Sequence, residues 1–170
     1  YGDYFDWKNE AEKAQNLERI KQAHHDIGFR LLLNESEFIT INDQKIRLIG
    51  IENWGLPPFP QYGNLKKAMS SSTNARFNIL MSHDPSHWDA EVIHKTDIDL
   101  TLSGHTHGMQ FGIEIGNVKW SPFKYKYPRW ARLYREKNQF LYVNRGFGYI
   151  GFPGRVGMPP EITVLQLNKA

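Results

Sequence analysis

The chain reads as an α/β domain, and three features predict it. Residues 9–27 place Ala11, Ala14, Leu17, Ile20, His24 and Ile27 near helical spacing. Two short apolar runs, 77–81 and 100–102, read as buried strands with a helical segment between them. Beyond them come strand-like segments separated by Gly- and Pro-rich turns, the pattern of a sheet closed by a run of strands. At 170 residues, 40% hydrophobic and 23% charged, the chain suits one core, either a whole domain or part of a larger one. The absence of cysteine excludes disulfide scaffolds, Cys-based zinc fingers, iron–sulfur clusters and thiol catalysis. No apolar run approaches the roughly 18–20 residues of a membrane helix.

Taken in order, the helix over 9–27 has Gly28 as its natural stop. Residues 29–33 form an apolar run suited to a buried strand. Residues 37–41 and 45–51 alternate apolar and polar side chains around Asn42-Asp43-Gln44, which predicts a hairpin. The stretch 54–63 holds Pro57, Pro58 and Pro60 and reads as loop. A short helix is expected over 64–69, then a polar turn over 70–74. The strand at 77–81 runs into Ser82-His83-Asp84-Pro85, and a short helix follows near 88–94. The strand at 100–102 ends at Ser103-Gly104-His105-Thr106-His107-Gly108. Further strands are expected at 111–115, 140–143 and 162–167.

The net charge of +3 is unevenly distributed. Lys119, Lys124, Lys126, Arg129, Arg132, Arg135 and Lys137 crowd one stretch against a single Glu136. Trp120, Phe123, Tyr125, Tyr127, Trp130 and Tyr134 are interleaved with them. Such a stretch suits nucleic-acid phosphate, an anionic lipid surface or a phosphorylated substrate. It equally suits a solvated loop whose rings pack inward while the long cations stay in water.

The chemistry gathers where two buried strands end. Open α/β sheets place ligand sites at the carboxyl ends of their strands. Here those ends deliver His83, His105 and His107. In an extended segment, residues two apart share a side at roughly 6–7 Å, so His105 and His107 can serve different ions of a metal pair. Gly104 and Gly108 let the backbone turn tightly around them. A single histidine would read as a packed loop residue; three at adjacent strand ends point to metal. Asp84 beside Pro85 suits a turn or a supporting role, and Asp99 suits capping or supporting a strand. His24 and His25 read as surface residues, and His87 and His94 as solvated or capping residues.

Gly104-His105-Thr106-His107-Gly108, preceded by Ser82-His83, resembles the C-terminal half of the calcineurin-like metallophosphoesterases. The resemblance extends to Ile98-Asp99-Leu100-Thr101-Leu102, Gln110, 141–148, Arg155 and Pro160-Glu161-Ile162. These are features of a bacterial branch whose members often carry N-terminal membrane segments. Residues 1–76 fit only loosely, and Met109 stands where the branch usually has Gly. The fold this implies is the C-terminal part of a β-sandwich flanked by helices. It also implies a dinuclear centre in which His83 and His105 bind one ion and His107 the other. The family's Asp-x-His and Gly-Asn-His-Asp motifs do not occur here. Residues 1–170 are therefore expected to be the C-terminal portion of a larger metallophosphoesterase domain. The general acid would lie in the other half. Three neutral imidazoles alone would hold at most one ion weakly, because a bridged pair needs anionic ligands.

The implied activity is hydrolysis of phosphomonoesters, phosphodiesters or pyrophosphates by two divalent ions of Mn, Fe or Zn type. Arg145 and Arg155 are candidate contacts for substrate phosphate, since a guanidinium fork matches it. Each is also readable as a structural salt bridge or loop clamp, and Glu161 as structural support. The expected partners are a phosphorylated substrate, of a kind that can be lipid-linked or membrane-associated, and the missing N-terminal half. The expected setting is bacterial and membrane-associated through a segment outside these residues, the chain itself being soluble. A non-catalytic binding module competes with this reading. A nucleic-acid-binding domain ranks last, since it would show steep salt dependence and no metal dependence.

Overall fold

A computed structural model describes residues 7–71, 74–116 and 118–168. The first helix forms as expected: α1 spans Glu10–Asp26, with the Asn9 side chain accepting from the Glu12 amide. Asn9 satisfies one of the orphan amides of the first turn. Gly28 follows with φ +82°, the left-handed conformation that ends helices.

A six-stranded mixed sheet forms the body, in the order β1-β2-β3-β4-β8-β7. The strands are β1 (Glu35–Ile41), β2 (Gln44–Gly50), β3 (Phe77–Met81), β4 (Leu100–Ser103), β7 (Arg132–Glu136) and β8 (Gln139–Val143). Strands β2, β3, β4 and β8 run parallel, and the edges β1 and β7 are antiparallel to their neighbours. The hairpin turn at Asn42 and Asp43 has both residues at positive φ, as two-residue hairpin loops demand. A two-stranded sheet, β5 (Ile113–Ile115) with β6 (Val118–Trp120), lies within the long excursion between β4 and β8. The short helix α2 (Leu65–Ala68) and a π-helical turn (Trp88–Val92) join the parallel strands. This is the mixed α/β architecture that was expected, a multi-stranded sheet flanked by helices. Among the described residues, no helix is long and apolar enough to cross a membrane.

The main core packs Ile49, Leu80, Leu141 and Val143 of the sheet against Leu65, Ala68, Trp88, Val92 and Ile98. A second cluster of Tyr127, Trp130, Ala131 and Met158 lies under the excursion. Tyr127 and Trp130 of the interleaved aromatic stretch thus turn inward, while Tyr125 is 78% exposed.

Two expected strands do not form. Residues 29–33 lie outside any ladder, and Phe29 is exposed. Leu32 presses on Gly50 so closely that a Cβ there would sit 2.3 Å from the Leu32 Cβ. Asn34, at φ 62°, then breaks the extended run. The Asn34 side chain instead accepts from the Glu52 and Asn64 amides and donates to the Tyr62 carbonyl, a buried hub tying three loops. Residues 162–167 are also irregular, with Ile162 and Val164 exposed. Both edges of β8 are occupied, by β4 and β7, so this segment has no free ladder to join there. It is held by side chains: Thr163 Oγ1 bonds Tyr142 and Asn144 at 2.9 and 3.0 Å.

Two strands were missed, β6 and β7, both inside the basic stretch. Arg132–Glu136 shows no apolar alternation, because exposed Leu133 shares the outward face with Arg135 while Arg132 and Glu136 share the side of Tyr134. Charged side chains are a common protection for an edge. Part of the expected polar turn at 70–74 lies outside the described residues.

Candidate metal centre

Parallel pairing of β3 and β4 aligns their carboxyl ends, and the backbone stitches the residues beyond them. The Ser82 amide donates to the Leu102 carbonyl at 3.1 Å and the Gly104 amide to the His83 carbonyl at 3.0 Å. The His83 and His105 rings therefore meet edge to face, centroids 5.3 Å apart. His107 opens on the same cavity of about 1120 Å³. All three predicted histidines share this one cavity.

The way they share it differs from expectation. His105 and His107 are not consecutive same-side residues of an extended strand. β4 stops at Ser103, and His105, His107, Gly108, Met109 and Gln110 all have φ between 49° and 65°. This run of left-handed residues is costly, about 1–3 kcal/mol at each non-glycine position, and persists only where surroundings enforce it. The enforcing contacts are specific. Thr106 Oγ1 donates to the Trp130 carbonyl at 2.6 Å, and Ser121 Oγ donates to the Gly108 carbonyl at 3.1 Å. Met109, where the resembling branch has Gly, carries one of these conformations and lines the cavity.

His105 Nε2 lies 2.8 Å from the Tyr127 hydroxyl and 3.5 Å from Asp84 Oδ2. Asp84 is 1% exposed; its Oδ1 accepts from the Ser86 amide, the turn role expected of it. Its Oδ2 has no hydrogen-bond partner among the described residues, and neither does His107 Nδ1. A buried carboxylate oxygen without a hydrogen bond, 3.5 Å from the His105 ring, is the kind of atom that a site for a further ligand leaves behind.

Burial lowers the pKa of His83, reinforced by His105 and opposed by Asp84. Burial likewise lowers His105 against the pull of Asp84, and lowers His107 together with the Arg155 charge. All three imidazoles are thus held neutral, the form that coordinates metal. Neutral imidazoles and one buried carboxylate are the right donor chemistry for a divalent transition ion. The number is short: among the described residues no group of three or more His, Asp or Glu converges tightly enough to hold an ion. The residues fit part of a metal site.

His87 differs from its expected solvated or capping role. It is fully buried, its Nδ1 lies 3.0 Å from Ser82 Oγ and its Nε2 lies 3.2 Å from Glu91. It braces the strand end that carries His83. Burial lowers its pKa too, against the raising effect of Glu91. The unfolded chain therefore binds protons at these four histidines before the fold does. Stability should be fully present above about pH 6.5, the ordinary imidazole value, and fall as acid is added below it. Urea unfolding at pH 7.5 and 5.5 checks the direction.

Arg145 and Arg155 sit behind the histidine turn. Arg145 is 8% exposed and bonds Glu161 at 2.7 Å and Glu114 at 2.5 Å. Arg155 donates to the carbonyls of Gly148, Arg145 and His107, bridging three segments. The amide of Asn78 donates to Asp99 at 2.7 Å, which fits the strand-supporting role. Sequence reasoning did not single out Tyr127 within the aromatic stretch, nor Lys126, which lines the cavity. The only signal for either was the interleaving of rings and cations.

The chain is similar to a transmembrane protein with metallophosphoesterase domain from Danio rerio, 29% identical over 99% of the chain and 39% of that protein. It is 32% identical to the uncharacterized metallophosphoesterase YkuE of Bacillus subtilis, over 83% of the chain and 47% of that protein. It is 27% identical to phosphodiesterase YaeI of Escherichia coli, over 88% of the chain and 50% of that protein. The chain thus spans half or less of the length of these relatives, and the resemblance extends beyond bacteria. No family model and no solved structure matches it.

Proposed function

We propose that this relative of the calcineurin-like metallophosphoesterases supplies the histidine side of a divalent-metal centre that hydrolyses phosphoesters. The observation that carries the reading is the meeting of His83, His105 and His107 on one cavity at two parallel strand ends. Homology to proteins named as metallophosphoesterases and a phosphodiesterase supports it. His83 and His105 would hold one ion and His107 a second, of Mn, Fe or Zn type, with further donors from outside residues 1–170. When bound, the ions supply Lewis acidity and an activated water.

The chain's own residues orient and support. Asp84 and Tyr127 set the His105 ring from its Nε2 side. Arg155 is proposed as the clamp of the His107 turn, with substrate phosphate as its other candidate role. Arg145, committed to two carboxylates, would act on phosphate only through the loop it holds. Arg155→Lys separates the roles, since lysine keeps the charge and loses the fork. A clamp predicts metal affinity weakened about tenfold, as for other supports of metal ligands. A phosphate contact predicts unchanged metal affinity and a raised KM; calorimetry and kinetics read the two.

The test is Mn²⁺-dependent hydrolysis of bis-p-nitrophenyl phosphate by this chain, and by the same chain extended with upstream sequence, beside His105→Ala. Metal-dependent turnover abolished in the variant supports the reading. Metal binding without turnover in either form would favour a binding module, the alternative favoured by the incomplete donor set.

A further inference from the structure

The basic stretch delivers one cation to the histidine cavity. Lys126 lines the cavity, its Nζ 5.9 Å from the Phe59 ring centre and 5.6 Å from that of Tyr127. Arg145, Arg129 and Lys119 are all paired with carboxylates, whereas Lys126 has no carboxylate partner among the described residues. Held beside two aromatic faces at the cavity, its ammonium is available to an anion.

The same cavity has an apolar flank of Phe111, Ile150, Phe152 and Val156, each at least half exposed. This flank is built. Gln110, 5% exposed, donates to the carbonyls of Phe152 and Gly154 at 2.8 Å each, and its side-chain oxygen accepts from the Ile150 amide. Phe111 and Val156 pair in a parallel bridge. Gln110 belongs to the turn of His107, so one buried amide fixes the apolar flank to the histidines.

We infer that the cavity takes a phosphoester whose organic group is apolar, with Lys126 holding a phosphoryl oxygen and the Phe111–Val156 flank covering the hydrocarbon. For the phosphoryl end this rests on the phosphoesterase reading. Charge complementarity selects the occupant: an apolar group alone would not use Lys126, and a small polar phosphate would leave the flank in water. Full burial of a methylene is worth about 0.8 kcal/mol, or nearly fourfold in affinity, so partial cover gives about twofold.

Titration of the chain with ethyl- to octylphosphonate, which cannot be hydrolysed, tests this by calorimetry. We expect Kd to fall about twofold per added methylene. Lys126→Gln should weaken every member about tenfold and leave the slope intact, the loss of one charge-assisted bond. Phe152→Asn, at an exposed position, should flatten the slope and preserve ethylphosphonate binding. A flat slope in the unaltered chain overturns the inference. So does a slope that Phe152→Asn leaves unchanged, an affinity that Lys126→Gln leaves unchanged, or sedimentation showing a second copy of the chain covering the flank. Turnover of bis-p-nitrophenyl phosphate with a flat slope would sink this inference alone. A steep slope without any metal-dependent turnover would sink the phosphoesterase reading and leave the amphiphile site.

Discussion

Arg145→Ala is expected to destabilise the chain by about 3–5 kcal/mol, the usual cost of removing one partner from a buried ion pair. The guanidinium bonds Glu161 Oε2 at 2.7 Å and Glu114 Oε2 at 2.5 Å, with its own side chain 9% exposed. Removing it leaves Glu161 facing only Tyr142 and Thr163. Burial pushes the Glu161 pKa up, but bonds from Tyr142 and Arg145 outweigh it and hold the group below the ordinary carboxylate value. A depressed carboxylate contributes stability above its unfolded pKa and loses it as pH falls through the folded one. The loss in Arg145→Ala should therefore be largest near neutrality and shrink in acid. Arg145→Met with Glu161→Gln should recover part of it, because the uncompensated charge is gone. Urea unfolding of the two variants beside the unaltered chain reads these differences. A cost under about 1 kcal/mol for Arg145→Ala would mean that the arginine is not the strut described here.

His105→Ala should have the largest functional effect, lowering metal-dependent phosphodiester hydrolysis by at least about a hundredfold, as loss of a ligand removes both the ion's hold and its activated water. The reason is local crowding of roles. The ring meets His83 at 5.3 Å and Phe59 at 5.1 Å, and its Nε2 faces Tyr127 and Asp84. Its removal deletes one donor and takes away the imidazole that lies 3.5 Å from Asp84 Oδ2, an oxygen with no hydrogen-bond partner among the described residues. Tyr127→Phe should act more mildly, since it alters only the ring's orientation. Steady-state rates at fixed Mn²⁺ for both variants check the order. Equal losses would show that the tyrosine hydroxyl does more than orient.

Much of this was legible in the residues, and what was not has physical causes. The hairpin was legible because Asn42 and Asp43 tolerate positive φ and the flanking strands alternate. Strands β3 and β4 were legible as short apolar runs bounded by turn residues. Residues 29–33 and 162–167 carry the same local signal, yet a strand also needs a free edge, which no single segment encodes. In β7 the reverse holds: the edge exists, and an exposed Leu133 with charged residues flanking Tyr134 erases the period. The three histidines were visible by type and position, while their left-handed backbone was not. That conformation is imposed from Trp130, Ser121 and Arg155, residues distant in sequence. Gln110 and Lys126 acquire meaning only once the excursion between β4 and β8 folds back over the turn.

The claim on which everything else depends is that His83, His105 and His107 form one metal-binding locus. Titration of the chain with Co²⁺, followed by visible absorption and calorimetry, tests it most directly, using His83→Ala, His105→Ala and His107→Ala beside the surface variant His25→Ala. The account predicts imidazole-type binding that His25→Ala leaves intact, that each of the other three weakens, and that acid abolishes only below the ordinary imidazole range, since burial lowers all three histidines. Binding that is indifferent to His83 and His105, or equally weakened by His25→Ala, would contradict it.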